Sequence, residues 1–590
     1  MLNDSKLSRL MGSLRHGSLA LAACFAFGVP NTANAVQPLR PVDACFVAED
    51  QTLLVACRRS GVILALDSDT GQLQSKLSIG GDVVAVEALP DASVWAIDQA
   101  GNRLVQIHFV DGKLSTGSVI DCVKSPASVI AAEGNQLLVA GLWSRSVTCV
   151  VPTSNDSPAH RVWTCDLNFS PQTLRLLQPE NVVLAVDAFG SQIAYLDAAT
   201  GQQLRQTEFY GHRIRGMIDD PDGKRLIVSH QMLNSAAQSS NNDIHWGMMV
   251  SNDLRWLDRG RVMEADEENF YKDGHIDPIG IVGQGGADPN DLVCTVDGIV
   301  IVPLGGANEV AIGHEEFYEL ARLPVGINPV AVAVDSRGKT GWVVNRLDDS
   351  LTKIDIGERS VLKTVRLSEG WTPTTAELGE RLFHDASLAH DGWMSCSSCH
   401  PGGHAVNERA DNLSDGAYTS PKRVLSLLGR ADTAPFGWIG ADEKLEAQLQ
   451  RTVRTTMQGH NTLTSEQVVQ LTAFLESLVP PPPIVDASIP EVGESIARGQ
   501  VIFQRQGCND CHAGSKYTSA ELYDVGLEDE LGHTLFNPPS LLGVGQRGPR
   551  YFHDLRADSL EAVFTEHKHT LDQPLSQPDL EDLLTFLRSL

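Results

Sequence analysis

The chain has 590 residues, too many for one ordinary hydrophobic core, so several domains are expected. Its formal charge is −28, which excludes nucleic acid and anionic membrane surfaces as favoured partners and suits a soluble protein docking a basic redox partner.

The first 35 residues read as an export signal. Lys6, Arg9, Arg15 and His16 precede the apolar run "SLALAACFAFGV", and Ala33-Asn34-Ala35 supplies a small-residue cleavage site before Val36. The apolar run is too short to span a bilayer. "LAAC" also resembles a lipobox that would place a lipid on Cys24; the good cleavage site downstream ranks this second. The expected location is therefore the periplasm. Six cysteines lie outside the signal and the motifs described below: Cys45, Cys57, Cys122, Cys149, Cys165 and Cys294. An exported chain permits disulfides, and Cys45/Cys57 and Cys149/Cys165 each flank a hairpin. Buried free thiols are the alternative.

Residues 36–370 alternate short β-rich runs with turn signals. In "TLLVACRRSGVILALDSDTGQL" two apolar strands flank Ser60-Gly61, and Asp69-Thr70-Gly71 begins the next turn. Similar units begin near Pro41, Asp82, Ser125, Ser170, His212, Ile276 and Ile327. A spacing of about 40–45 residues suits four-stranded propeller blades, and the count predicts a seven-bladed β-propeller. The turns at Thr70-Gly71 and Thr200-Gly201 resemble those of YVTN-type propellers. Two units carry long polar loops, which are uncommon unless functional or disordered. Their His230, His245, Trp246 and His275 are candidates for a face that meets another domain or a partner, against the alternative of ordinary surface loops.

The remainder carries C-x-x-C-H twice, as Cys396, Cys399, His400 and as Cys508, Cys511, His512. In this motif two thiols add to the haem vinyl groups and the histidine becomes the proximal iron ligand. Two matches in an exported chain predict two covalently bound c-type haems. The closing runs "LTSEQVVQLTAFLESL" and "LSQPDLEDLLTFLRSL" repeat at the same offset of 112 positions as the motifs, and both have helical periodicity. We therefore expect two mostly α-helical, class I cytochrome c-like domains, at 371–479 and 491–590, with a Pro-rich linker at 480–490. The sixth iron ligand in that plan lies just before the closing helix. Met457 is the candidate in the first half, and His567 or His569 in the second. His390, His404 and His460 are weaker candidates.

The C-terminal 220 residues resemble the diheme cytochrome c peroxidases and MauG-type enzymes, on "LGERLFHDASLAHDGWMSCSSCH", "CNDCHAGSKYTSAELYDVG" and "NPPSLLGVGQRGPRYFHD". The resemblance implies a peroxidatic first haem, a second haem that relays electrons to it, and a tryptophan between them, here Trp438. It implies an active-site glutamine at Gln448 and a catalytic glutamate at the place held here by Gln458. That glutamate is absent, and heterolysis of O–O needs a group that moves a proton. The family also holds a calcium ion near the place of Asn537, where no EF-hand type carboxylate cluster is seen. The expected function is thus a diheme oxidoreductase, peroxidase-like at the first haem. The alternative is a non-catalytic carrier or redox sensor whose propeller docks a partner protein.

Overall fold

The computed structural model describes residues 37–152, 158–264, 267–315 and 320–590. The signal segment, with Cys24 and the site after Ala35, lies outside the described residues. No helix among those described is long and apolar enough to cross a membrane.

Seven four-stranded antiparallel sheets follow one another along residues 41–366, each built from consecutive strands. The first blade runs Pro41–Val47, Thr52–Cys57, Val62–Asp67 and Leu73–Ser78; the seventh runs Pro329–Val334, Thr340–Asn345, Ser350–Asp355 and Ser360–Arg366. The second strands are apolar on both faces, as Thr52–Cys57 and Val182–Asp187 are wholly buried, because each blade packs against a blade on either side. The Asp-x-x-Thr-Gly turns form for a local reason. Asp67 accepts from the Thr70 amide at 2.7 Å and hydroxyl at 2.6 Å, and Gly71 takes φ +70°. Asp197, Thr200 and Gly201 repeat the arrangement.

The predicted blade count holds, with one boundary displaced. The segment at Ile276 is the outer strand of the fifth blade (His275–Pro278), and the sixth begins at Val293–Cys294. The long insertion pushed the outer strand far from its partners in sequence, so the cadence alone misassigned it. The ring closes without exchange of a strand. Trp342 Nε1 donates to Ser68 O at 2.9 Å, Asp349 accepts from the amides of Leu39 and Arg40, and both blades share one apolar cluster.

Of the two alternatives left for these cysteines, the structure shows free thiols. Register places Cys45 opposite Leu54 and Cys57 opposite Pro41, and the two thiols face different blade interfaces. Cys149 pairs with Trp163 and Cys165 with Val147. All six propeller cysteines are free.

The helical region repeats one plan twice. A leading helix, Thr375–Phe383 or Pro490–Arg505, crosses a closing helix, Ser465–Ser477 or Gln577–Arg588. Thr374 with Glu377, and Thr464 with Gln467, form capping boxes; Ser576 caps the last helix through the Asp579 amide. At each crossing a glycine allows contact of backbones. A Cβ on Gly379 would lie 1.9 Å from Gln470 O, and one on Gly499 would lie 2.0 Å from Asp582 O. The Pro-rich stretch is packed rather than free: Pro480 covers Gly429, Pro481 covers Gly543, and Pro482 O accepts from Gln546.

The propeller and the first helical half share a core. Leu233, Ile244, Met249 and Val250, from the long fifth-blade insertion, pack with Phe383, Trp393, Val453 and Met457. The insertion is therefore an interdomain surface, and not an ordinary solvent loop.

Candidate functional site

Two cavities lie in the helical region, one at each C-x-x-C-H segment. The first, about 250 Å³, is lined by Cys396, Cys399, His400, Gln448, Met457 and Trp438. The second, about 380 Å³, is lined by Cys508, Cys511, His512, Phe564, His569 and again Trp438.

Each motif histidine is oriented from behind. His400 Nδ1 lies 3.1 Å from His404 O, and His512 Nδ1 lies 3.1 Å from Tyr517 O. A donating Nδ1–H leaves Nε2 as the free lone pair, which is how metal-bound imidazoles are held. Enclosure pushes both histidines down to about 4, so each is neutral near pH 7, as a ligand must be. Cys396 to Cys399 form one capped turn, with Ser395 as N-cap accepting from the Ser397 amide.

The cavity edges are cationic. Arg423 and Arg547 line both cavities and Arg430 lines the first. Burial holds Arg423 and Arg430 down to about 10, and burial with the other two guanidiniums lowers Arg547 strongly. Arg423 Nε, Arg430 Nη1 and Arg547 Nε are buried without a protein partner. Buried guanidinium hydrogens without acceptors are costly. Two apolar clefts, each with a thiol pair, a neutral imidazole and arginine nitrogens that lack a protein acceptor, fit covalently attached haems, whose carboxylate arms these arginines would meet.

Trp438 is placed between the cavities by both ends. Its indole Nε1 donates to Arg423 O at 2.8 Å, and its carbonyl accepts from the Asn537 amide at 2.7 Å. Gln448 lines the first cavity while its amide donates to Thr452 Oγ1 at 3.2 Å. Gln458, at the place of the family's glutamate, turns away. Its amide donates to Ser239 O of the propeller at 2.6 Å and to Thr455 O at 2.9 Å. Among the described residues no carboxylate lines the first cavity. Met457 does, 2 % exposed, at the end of a π-helical turn over Thr452–Thr456.

The two histidines proposed in the second half separate. His569 lines the second cavity and its Nδ1 is buried without a partner. His567 points elsewhere, its Nε2 3.2 Å from Arg556 O. Asn537 lines both cavities and donates to Ser519 O at 3.2 Å. In a separate cluster, Lys422 Nζ sits between Asp415 at 2.9 Å and Asp529 at 3.0 Å.

Sequence reasoning missed the propeller's share of these sites. Phe169, Asp187 and Phe189 line the second cavity, with burial pushing Asp187 up to about 6. Asp288, in the "GADPND" segment ahead of the sixth blade, accepts from Ser395 Oγ at 2.5 Å and Ser398 Oγ at 2.7 Å, directly under the Cys396–Cys399 turn. His212 Nε2 lies 3.2 Å from Ser398 O. The only available signal was the polarity of that loop. Of the four loop residues singled out, His245 alone reaches the helical region, through Asp391. His230 is buried against Phe209, His275 stacks on Trp256, and Trp246 is exposed. His404 lines the second cavity, whereas His390 and His460 contact each other outside both.

Residues 373–477 match the family described as di-haem cytochrome c peroxidase. The methylamine utilization protein MauG of Methylorubrum extorquens is 26% identical over 278 residues, 37% of this chain and 78% of that protein. Cytochrome c551 peroxidase of Nitrosomonas europaea is 23% identical over 268 residues, 36% of this chain and 79% of that protein. Among solved structures, Kuenenia stuttgartiensis hydrazine synthase covers 55% of this chain and 98% of its own, at 14% identity and a TM-score of 0.45.

Proposed function

We propose that this chain, a seven-bladed propeller joined to a region of the di-haem cytochrome c peroxidase and MauG kind, is an exported diheme oxidoreductase. Haems attached through Cys396, Cys399 and His400 and through Cys508, Cys511 and His512 supply one-electron chemistry. The observation that carries the reading is Trp438, one side chain lining both cavities, held rigidly by hydrogen bonds at its indole and its backbone. It is the bridge for electrons between the two sites. Arg423, Arg430 and Arg547 would hold the haem carboxylate arms. His404 and Tyr517 carbonyls keep the two proximal imidazoles oriented. The donor or acceptor is a redox protein, and the acidic chain suits a basic one. The oxidant class would be peroxide, met on the His400 side and reduced with two electrons from the redox protein and two protons to water.

A second reading has its own support. Met457 lines the first cavity, and among the described residues no carboxylate lines it to move a proton between peroxide oxygens. With Met457 as sixth ligand in the first half and His569 in the second, the protein is a two-centre electron carrier. His/Met coordination raises a reduction potential relative to bis-His. Spin state separates the readings. In the haem-loaded full-length protein, hydrogen peroxide consumption driven by reduced cytochrome c, with a high-spin signal in electron paramagnetic resonance, supports the peroxidase-like reading. Two low-spin centres and no turnover, with a high-spin signal appearing in Met457→Ala, support the carrier. Low-spin spectra unchanged in Met457→Ala remove Met457 as a ligand.

A further inference from the structure

Outside both cavities, at the seam between propeller and first helical half, four chemistry-bearing side chains converge. His245 Nδ1 lies 2.6 Å from Asp391 Oδ2, and His390 Nε2 lies 3.3 Å from the same oxygen. On its other side, His390 Nδ1 lies 3.2 Å from His460 Nε2. The ligand atoms of His245, His390 and Asp391 all lie within 4.8 Å of one another.

We propose that His245, His390 and Asp391 form a binding site for a divalent first-row transition ion of the zinc class, with His460 orienting His390 from behind. Bonds of about 2.0–2.1 Å in tetrahedral geometry place neighbouring ligand atoms about 3.3 Å apart. The His390–Asp391 separation already has that value, and the His245–Asp391 pair needs to open by under 1 Å. Two imidazoles with one carboxylate are a donor set for zinc or iron(II) that leaves coordination positions free. His245, its side chain 39 % exposed, is the member of the set that meets solvent most.

The surroundings prepare the set. His390 is 8 % exposed and its backbone amide donates to Met457 O at 2.9 Å. Asp391 is held at φ +52°, a conformation uncommon for a residue with a side chain, and its carbonyl accepts from Gly285 of the propeller at 2.7 Å. The His245 carbonyl accepts from Trp393 Nε1 at 3.2 Å. With Nε2 given to a metal, His390 presents Nδ1–H to His460 Nε2, the outer contact that orients most metal-bound histidines. The other cluster of this type, Asp415, Asp529 and His533, already contains the Lys422 ammonium between its two carboxylates. A fixed cation occupies that position.

Three of the four groups come from the helical region and one from the propeller, so an ion here pins the fifth-blade insertion to the segment carrying Met457. The experiment is equilibrium dialysis of the full-length, haem-loaded protein against micromolar zinc chloride, with metal counted by plasma mass spectrometry. One zinc per chain is expected. His245→Ala, at a half-exposed position, and Asp391→Asn should each lose it. His460→Ala should weaken it about 10–100-fold, as loss of an outer contact does. His533→Ala should bind as the parent. A parent that retains no zinc, a His245→Ala variant that binds as the parent, or loss in His533→Ala would each overturn the assignment.

Discussion

His404 shows how one side chain can serve both halves of the molecule. It lies four residues after the first proximal histidine, yet its ring faces the second cavity. Its Nδ1 lies 2.9 Å from Ser426 Oγ, its Nε2 lies 3.1 Å from Gln546 O, and Phe189 and Trp143 of the propeller stand edge-on to it. A neutral ring can donate to the carbonyl through Nε2 and accept from the serine through Nδ1, which satisfies both of its nitrogens. Burial, then the guanidiniums of Arg547, Arg423 and Arg430, push it down to about 3. An unfolded histidine titrates near 6.5. The folded value is depressed, so the unfolded chain takes up the proton first as acid is added. The stability contribution is complete above about pH 6.5 and is lost progressively as pH falls towards 3. Between pH 6 and 4, urea midpoints of the parent should fall more steeply than those of His404→Gln. The difference should approach one proton, about 1.4 kcal/mol per pH unit. Parallel curves would show that His404 is charged or solvated in the folded protein.

At the scale of elements, the two helical halves are held by equivalent crossings. Gly379 meets Gln470 O and the Phe474 side chain; Gly499 meets Asp582 O and the Phe586 side chain, and the closing-helix partners lie 112 positions apart. A methyl group at either glycine collides with backbone, which cannot rotate away. Gly379→Ala and Gly499→Ala should each destabilise their own half by at least the 1–3 kcal/mol typical of overpacking. Hydrogen exchange would report it: faster amides in Ser465–Ser477 for the first variant and in Gln577–Arg588 for the second. Uniform acceleration in both halves would mean that the halves unfold as one unit. The closing helices were legible in the sequence because their information is local, a 3.6-residue period and a repeated offset, whereas the leading helices Thr375–Phe383 and Pro490–Arg505 were not read from it. The two C-x-x-C-H segments were visible for the same reason. His569 and His567 were not distinguishable, since both precede the closing helix and the local turn alone decides which faces the cavity. The sixth blade was misplaced because strand pairing across a long insertion is non-local. The buried arginines gave no sequence signal, since an arginine's burial depends on what the rest of the chain folds around it.

For the whole molecule, the decisive contact is made by a residue with no motif. Asp288 belongs to the propeller and is fully buried at φ +61°. Its two oxygens accept from Ser395 and Ser398, and Arg213 lies 3.4 Å away as its ion partner. Ser395 is the N-cap of the Cys396–Cys399 turn, so the propeller holds the first attachment turn by its first hydrogen bond. Trp393, two residues earlier, is wedged against Gly247, Gly280 and Gly285 of the propeller, at each of which a Cβ would collide with it. Asn252 Nδ2 donates to the Trp393 carbonyl at 2.9 Å. The helical region cannot be cut away without exposing Trp393 and leaving Ser395 and Ser398 without their acceptor. Asp288→Ala leaves Arg213 buried and unpaired, a loss of about 3–5 kcal/mol for breaking a buried ion pair. Asp288→Asn keeps an acceptor and should cost less. Both effects should concentrate at the interface: proteolysis between the propeller and the first helical half should accelerate, with Asp288→Ala ahead of Asp288→Asn. The His400 amide, bonded to Cys396 O at 3.0 Å, should exchange faster, while the His512 amide, similarly bonded to Cys508 O in the second half, should not change. Equal acceleration at His400 and His512 would place the damage in the global fold, and the propeller would then not be a specific support for the first site.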